Sequence, residues 1–353
     1  MSIALVTAIF GFALPHFASY RSVWASMTGM TVPQAALVIA AAAASMATTW
    51  VMICSVLPSI RLREAAVVNL GSNAVANTLP AGGALAMGVS WAMLSGWGVG
   101  TEEYVLYTLV SGIWNVFARL GLPVLALVVL LTDGRPGTGL IAAAAAGLAL
   151  LVVAAAGLGF LIRSESFALR AGHAVQRALT VAGRLVRRQV SFDIPGSLAS
   201  FRNRAGALIT ARGWWITVAT VASNLTLWLV LLACLHGVGL SQAQVSWQAS
   251  LAAFASIRLL TVLPITPGGL GITELGLVGI LVADIGHSAG HTASHLALAQ
   301  VTAAVLLYRA VTYLPPIPLG GIACLTWRYA PGLIHAKPVP ASIPAKLWGG
   351  VPH

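Results

Sequence analysis

Residues 263–274, LPITPGGLGITE, interrupt an apolar run that extends from about 245 to 285. Pro264 and Pro267 lack the amide hydrogen a helix interior needs, and Gly268, Gly269 and Gly271 permit backbone angles that a helix excludes. Hydrocarbon offers no water to the N–H and C=O groups such a break releases. Irregular backbone at that depth therefore has to be buried in protein or line a wet cavity. Glu274 follows at once, and an ionisable side chain inside a membrane segment costs enough to mark a functional site. The plainer alternative is a surface loop carrying an interfacial glutamate.

Composition places the chain in a membrane. Of its 353 residues 58% are hydrophobic and only 8% charged, far from the proportions of a soluble globular domain. The expected fold is all-α: a polytopic helical membrane protein with about six full spans and two re-entrant helical hairpins in an inverted repeat. Spans are expected at 3–19, 32–57, 104–131, 139–162, 214–235 and 293–325. The first has neither a charged leading region nor an A-x-A cleavage site and reads as a retained span. Residues 65–98 are apolar but broken by Asn77, Pro80, Gly82 and Gly83, and each half is too short to cross about 30 Å of hydrocarbon. They form one expected hairpin, and residues 244–285 the other. Thr101, Glu102 and Glu103 resemble a capped helix start, with acids favourable to the dipole. The PPIPLGG run at 315–321 should kink the end of the last span, and 327–353 reads as a poorly ordered tail.

The net charge of +11 is carried almost wholly by arginine, and residues 163–212 hold nine arginines against Glu165 and Asp193. A basic block between spans marks the cytoplasmic side; in a chain this apolar it does not indicate nucleic acid. Arg163, Arg170, Arg177 and Arg184 recur every seven residues and so share one helical face. Two readings stand: a helix lying in the headgroup layer on anionic lipid, or charges that only fix orientation. Both termini are then cytoplasmic, in the cell membrane.

An offset of 186 residues carries Gly82 and Gly83 onto Gly268 and Gly269. It also carries the start of the second span into the fifth, and the helix start at 102 to just before the sixth. The expected organisation is one transmembrane domain over 1–326. Its parts are repeat one (32–131), a connector span (139–162), a cytoplasmic basic segment (163–212) and repeat two (213–325). The charge bias puts the first hairpin in from the cytoplasm and the second from outside. Oppositely inserted repeats whose broken helices meet near the midplane mark secondary transporters and lipid translocators.

At LPITPGGLGITELGL, followed by VTAAVLLYRAVTYLPPIPLG, the chain resembles the flippase-like membrane domain of the lysylphosphatidylglycerol synthases, the multiple peptide resistance factor family. The family's P-x-x-PGG-x-G-x-x-E signature stands here as Pro264, Pro267, Gly268, Gly269, Gly271 and Glu274, with its later arginine at Arg309. Its N-x-x-P-x-G-G pattern matches Asn77, Pro80, Gly82 and Gly83. Members commonly carry a charge soon after that first break, where this chain has Leu85, Ala86, Met87 and Gly88. The resemblance implies movement or handling of a lipid with a charged or sugar-bearing head group. No stretch has the composition of the synthases' soluble aminoacyl-transferase domain, so lysyl transfer is not implied.

Four charges are expected at membrane depth: Arg119, Arg258, Glu274 and Arg309. Each costs about 2.5–3.5 kcal/mol alone on insertion scales, so partners are expected, and Glu274 with Arg309 or Arg258 is the expected pair. Arginine forks are well shaped for a lipid phosphate, with Glu274 as the competitor that holds arginine when the site is empty. A half-helix beginning after Gly269 adds N–H groups and a positive dipole end. The alternative is a structural ion pair that clamps the hairpin. Asn69, Asn73 and Asn77 share one helical face, either lining a head-group path or bonding between helices.

His287, His291 and His295 recur every four residues, a spacing that can chelate metal. The Ser, Ala, Gly and Thr between them favour a solvated external loop instead, and no cofactor is expected. No P-loop, nucleophile elbow, HExxH or Asp-rich motif is present, so the chain is not expected to be an enzyme. The function expected is translocation or presentation of a phosphate-bearing lipid. The alternatives are a membrane component of a polyprenyl-phosphate, glycosyl or aminoacyl transfer system, or a scaffold for such an enzyme. The expected partners are membrane lipids with anionic or glycosylated head groups, and a lipid-modifying enzyme.

Overall fold

The computed structural model describes residues 29–79, 82–131, 138–163, 194–262, 271–289 and 294–329. These are helical, with no strand among them. In chain order the helices are α1 (Val32–Val56), α2 (Leu62–Thr78), α3 (Gly82–Gly96), α4 (Thr101–Leu131), α5 (Thr138–Arg163), α6 (Ile194–Gly237), α7 (Trp247–Leu260), α8 (Ile272–Ala289), α9 (Ser294–Tyr313) and α10 (Pro316–Tyr329). Two short helices between longer ones thus occur twice, as α1–α4 and α6–α9.

Local chemistry sets several of these boundaries. Gln34 Oε1 accepts the Thr31 N–H at 2.8 Å, and a proline sits in the first turn of α1, where its missing donor is harmless. Glu64 Oε2 takes the Arg61 N–H at 2.7 Å at the head of α2, and Ser246 caps α7 by accepting from the Ala249 amide at 3.1 Å. Thr101, expected as a cap, is itself the first helical residue of α4. Between α2 and α3 the chain doubles back tightly: a Cβ on Gly82 would collide with the carbonyl oxygens of Ala76 and Val75, which only glycine avoids.

Side-chain bonds fix the helix directions. Arg204 of α6 pairs with Glu102 of α4, and Trp114 Nε1 donates to Thr217 Oγ1 at 2.9 Å, so α4 and α6 run parallel. The α1 helix runs against α6, since Thr48 meets Thr226 at 2.8 Å and Thr49 meets Ser223 at 3.0 Å while Gln34 reaches the His236 carbonyl. The α9 helix starts beside the end of α6, where Gln300 lies against Gly239. These hydroxyl pairs and the small residues Ala253, Ala255, Ala303 and Ala304, all buried, let helices approach closely where lipid gives no hydrophobic drive between them. The largest core joins α6, α7, α8 and α9 around Phe254, Leu231, Leu277 and Val305. On the outside, Leu150, Val153 and Phe160 of α5 and Trp214 and Trp215 of α6 are exposed, as lipid-facing and interfacial residues should be.

Among the described residues, four helices are long and apolar enough to cross a membrane unaided: α1, α4, α5 over Ile141–Phe160 and α6 over Arg202–Gly237. Six full spans were expected. The first, at 3–19, lies outside the described residues. The sixth is corrected: instead of one span with a terminal kink, α9 ends at Tyr313 and α10 begins at Pro316, because consecutive prolines remove donors and bar the preceding residue from helical angles. The basic segment is also corrected. Its last part, expected to be separate from the fifth span, is continuous with it in α6, which starts at Ile194; Arg170, Arg177 and Arg184 lie outside the described residues. The expected tail starts three residues too early, since α10 runs to Tyr329.

Candidate functional site

Helices α7 and α8 are separate, as the break between them requires: α7 ends at Leu260 and α8 begins at Ile272. Pro264, Pro267, Gly268 and Gly269 lie outside the described residues, as does Pro80 of the first break. Gly271 is described and has φ +84°, a left-handed conformation that costs any residue with a Cβ. Its carbonyl receives the first bond of α8, from the Leu275 amide at 2.9 Å.

Glu274, in the first turn of α8, is fully buried. One oxygen, Oε2, accepts the Gly271 N–H at 2.6 Å; the other, Oε1, lies 2.5 Å from Nε of Arg309 on α9. One carboxylate thereby caps a helix start and neutralises a buried cation, and Arg309 is the partner of the two arginines expected for it. Arg309 also packs over the Tyr313 ring, its guanidinium carbon 5.3 Å from the centroid.

Arg258 and Arg119 have different partners. Arg258 Nη2 donates to Asn224 Oδ1 at 2.8 Å and its guanidinium stands 5.8 Å from the Phe254 ring. Asn224 is held in turn by donating to the Thr220 carbonyl at 2.9 Å. Arg119 Nη1 donates at 3.0 Å to the carbonyl of Thr261, just past the end of α7, where a cation suits the negative end of the dipole. The Nε–H groups of both arginines are buried without a hydrogen-bond partner, and neither arginine has a carboxylate partner among the described residues. Leaving a buried donor unmade costs about 1–3 kcal/mol, more for charged groups.

These arginines meet in one chamber. A cavity of about 470 Å³ is walled by Arg119, Arg258 and Arg309, by Asn73 and Asn77 of α2, and by Thr261, Thr273, Tyr308, Tyr313 and Pro316, among others. The end of α7, the start of α8, the end of α9 and the start of α10 all converge on it. The amide hydrogens of the first turn of α8 have no partner within their helix, and the positive end of its dipole lies at the wall. Among the described residues, three guanidiniums against one carboxylate give the chamber a surplus of positive charge, and its unmade N–H groups suit an oxyanion. Asn77 donates to the Tyr313 carbonyl at 3.3 Å and Asn69 accepts from Trp50 at 3.3 Å. The asparagine face therefore both bonds between helices and borders open space, for Asn69 and Asn73 also line a smaller adjoining cavity of about 190 Å³.

Gly82 and Gly83 start α3 and are not on the chamber wall. His287 lies in the last turns of α8 and His295 in the first turn of α9, so the loop expected across them is shorter than the spacing implied; His291 is outside the described residues. The sequence reading missed Tyr308, Tyr313, Thr261 and Asn224. Asn224 alone left a signal, as an amide in an apolar span one turn after Thr220.

A family model for the lysylphosphatidylglycerol synthase TM region matches residues 1–320. No curated protein matches the chain.

Proposed function

This chain belongs to the lysylphosphatidylglycerol synthase transmembrane family, a family of membrane domains tied to lipid modification or transport, and we propose that it carries a phosphate-bearing lipid between the leaflets of the cytoplasmic membrane. The observation that supports the reading is the chamber itself: three arginines, two of them with unmade N–H groups, where broken helices converge. A phosphate oxyanion satisfies those donors and offsets the surplus charge. In this reading Arg119 and Arg258 hold the phosphate, and Arg309 shifts from Glu274 toward it. The α2–α3 and α7–α8 pairs are re-entrant hairpins inserted from opposite sides, with α9 and α10 together completing one broken crossing, both termini cytoplasmic. Partners are membrane lipids and an enzyme that modifies the head group.

The test is lipid movement in vesicles of purified protein, read with a fluorescent anionic phospholipid and an impermeant quencher. Transfer above protein-free vesicles that is lost in Arg258→Gln supports the reading. Equal movement of a phosphate-free glycolipid, or no movement at all, sinks it, and chemical conversion of the lipid seen by mass spectrometry favours an enzyme.

A further inference from the structure

An apolar recess of about 340 Å³ lies between α4, α5 and α6, walled by Trp114, Phe117, Gly121, Leu125, Leu151 and Val221 with their neighbours. Its rim faces outward, since Leu125 and Val221 are 42% and 37% exposed. Two contacts join the recess to the arginine chamber. Asn224 belongs to its wall and accepts the Arg258 N–H that reaches across from the chamber side. On α4, Ala118 lines the recess while the next residue, Arg119, lines the chamber.

We infer that this recess is the hydrocarbon-chain subsite for the same lipid anion, which enters sideways from the bilayer between α4, α5 and α6; the inference rests on the head-group reading of the chamber. The hydroxyls in the wall are already used. Thr217 donates to the Gly213 carbonyl and accepts from Trp114, and Thr220 donates to the Ile216 carbonyl. So apolar a recess gives an unpaired peptide backbone little to bond, which hydrocarbon penalises; an alkyl chain asks for nothing. Gly121 keeps the floor open, because a Cβ there would meet only Leu151 Cδ2, at 3.8 Å. A chain in the recess and a phosphate on Arg258 would sit on opposite sides of the Asn224 amide, as two parts of one amphiphile.

The experiment uses the full chain in phosphatidylcholine nanodiscs, with phosphatidic acid carrying a mid-chain diazirine as probe. After irradiation, label should map to Leu125, Leu151 and Val221 and fall when inorganic phosphate competes. Gly121→Leu fills the floor with a better helix former and should cut that labelling about tenfold, the equivalent of roughly two methylenes of burial. Inorganic phosphate binding to the same variant should be unchanged. Leu125→Trp, at the exposed rim, gives a second block should the first variant misfold. Equal labelling of the recess by diazirine phosphatidylcholine means ordinary boundary lipid and overturns the inference. Phosphate-sensitive labelling elsewhere overturns the chain subsite but leaves the head-group reading intact. Failure of wild-type protein to bind inorganic phosphate overturns both.

Discussion

Arg309 Nε lies 2.5 Å from Oε1 of a glutamate with no solvent exposure, Glu274, whose second oxygen holds the Gly271 amide. This bond ties the start of α8 to α9 and fixes which charge in the chamber is already neutralised. Arg309→Met should strand a buried carboxylate and cost about 3–5 kcal/mol, the range for breaking one side of a buried pair. Adding Glu274→Gln should recover much of that, since the amide oxygen can still accept from Gly271. The four-way comparison of thermal melts in detergent measures the coupling. Simple additivity would mean that the pair contributes no coupling.

Glu274→Gln alone should act differently on the two observables. It removes the carboxylate that pairs with Arg309 and leaves the chamber more positive, so the melting temperature should fall while affinity for an anionic lipid rises. Lipid retained through purification, counted by mass spectrometry, checks the second part.

Arg258→Lys preserves charge but loses the planar fork that bonds Asn224 and stacks near Phe254. Its affinity for inorganic phosphate should drop about tenfold, or roughly 1.4 kcal/mol. Titration calorimetry reads it. An unchanged affinity would mean that only the charge matters.

At Gly271, with φ +84°, substitution by alanine should cost about 1–2 kcal/mol in left-handed strain. Because Glu274 bonds this residue's amide, the shift should also loosen the Arg309 pair. The variant should melt lower than Gly83→Ala, where an added Cβ meets nothing within 4 Å.

The Glu102–Arg204 pair offers a contrast. Their side chains are 65% and 34% exposed, so Arg204→Ala should change stability by at most about 1 kcal/mol, and less in high salt.

What the sequence disclosed follows the cost of its residues in hydrocarbon. The α1, α4 and α5 helices were legible because apolar runs of spanning length end at proline, acids or a turn. Arg119, Arg258, Glu274 and Arg309 were legible because charge at that depth demands a reason. The start of α6 was not, because a helix that continues past the lipid carries arginines freely and loses the hydropathy signal there. The interruption between α9 and α10 was read as a kink, since paired prolines do not state how far the chain departs. Tyr308 and Tyr313 look like ordinary aromatics in an apolar run until packing turns them toward an arginine.

Helix α6 has 44 residues, about 66 Å at 1.5 Å per residue, against about 40–45 Å for a bilayer with its head groups. One end supplies Asn224 and Leu227 to the walls described above, and its first described side chains, Arg202 to Leu208, precede the exposed tryptophans at 214 and 215. The protein thus carries one unbroken rod that joins the Glu102–Arg204 pair to the inner wall. A displacement at Arg204 is therefore carried to Asn224, and through it to Arg258, without an intervening hinge.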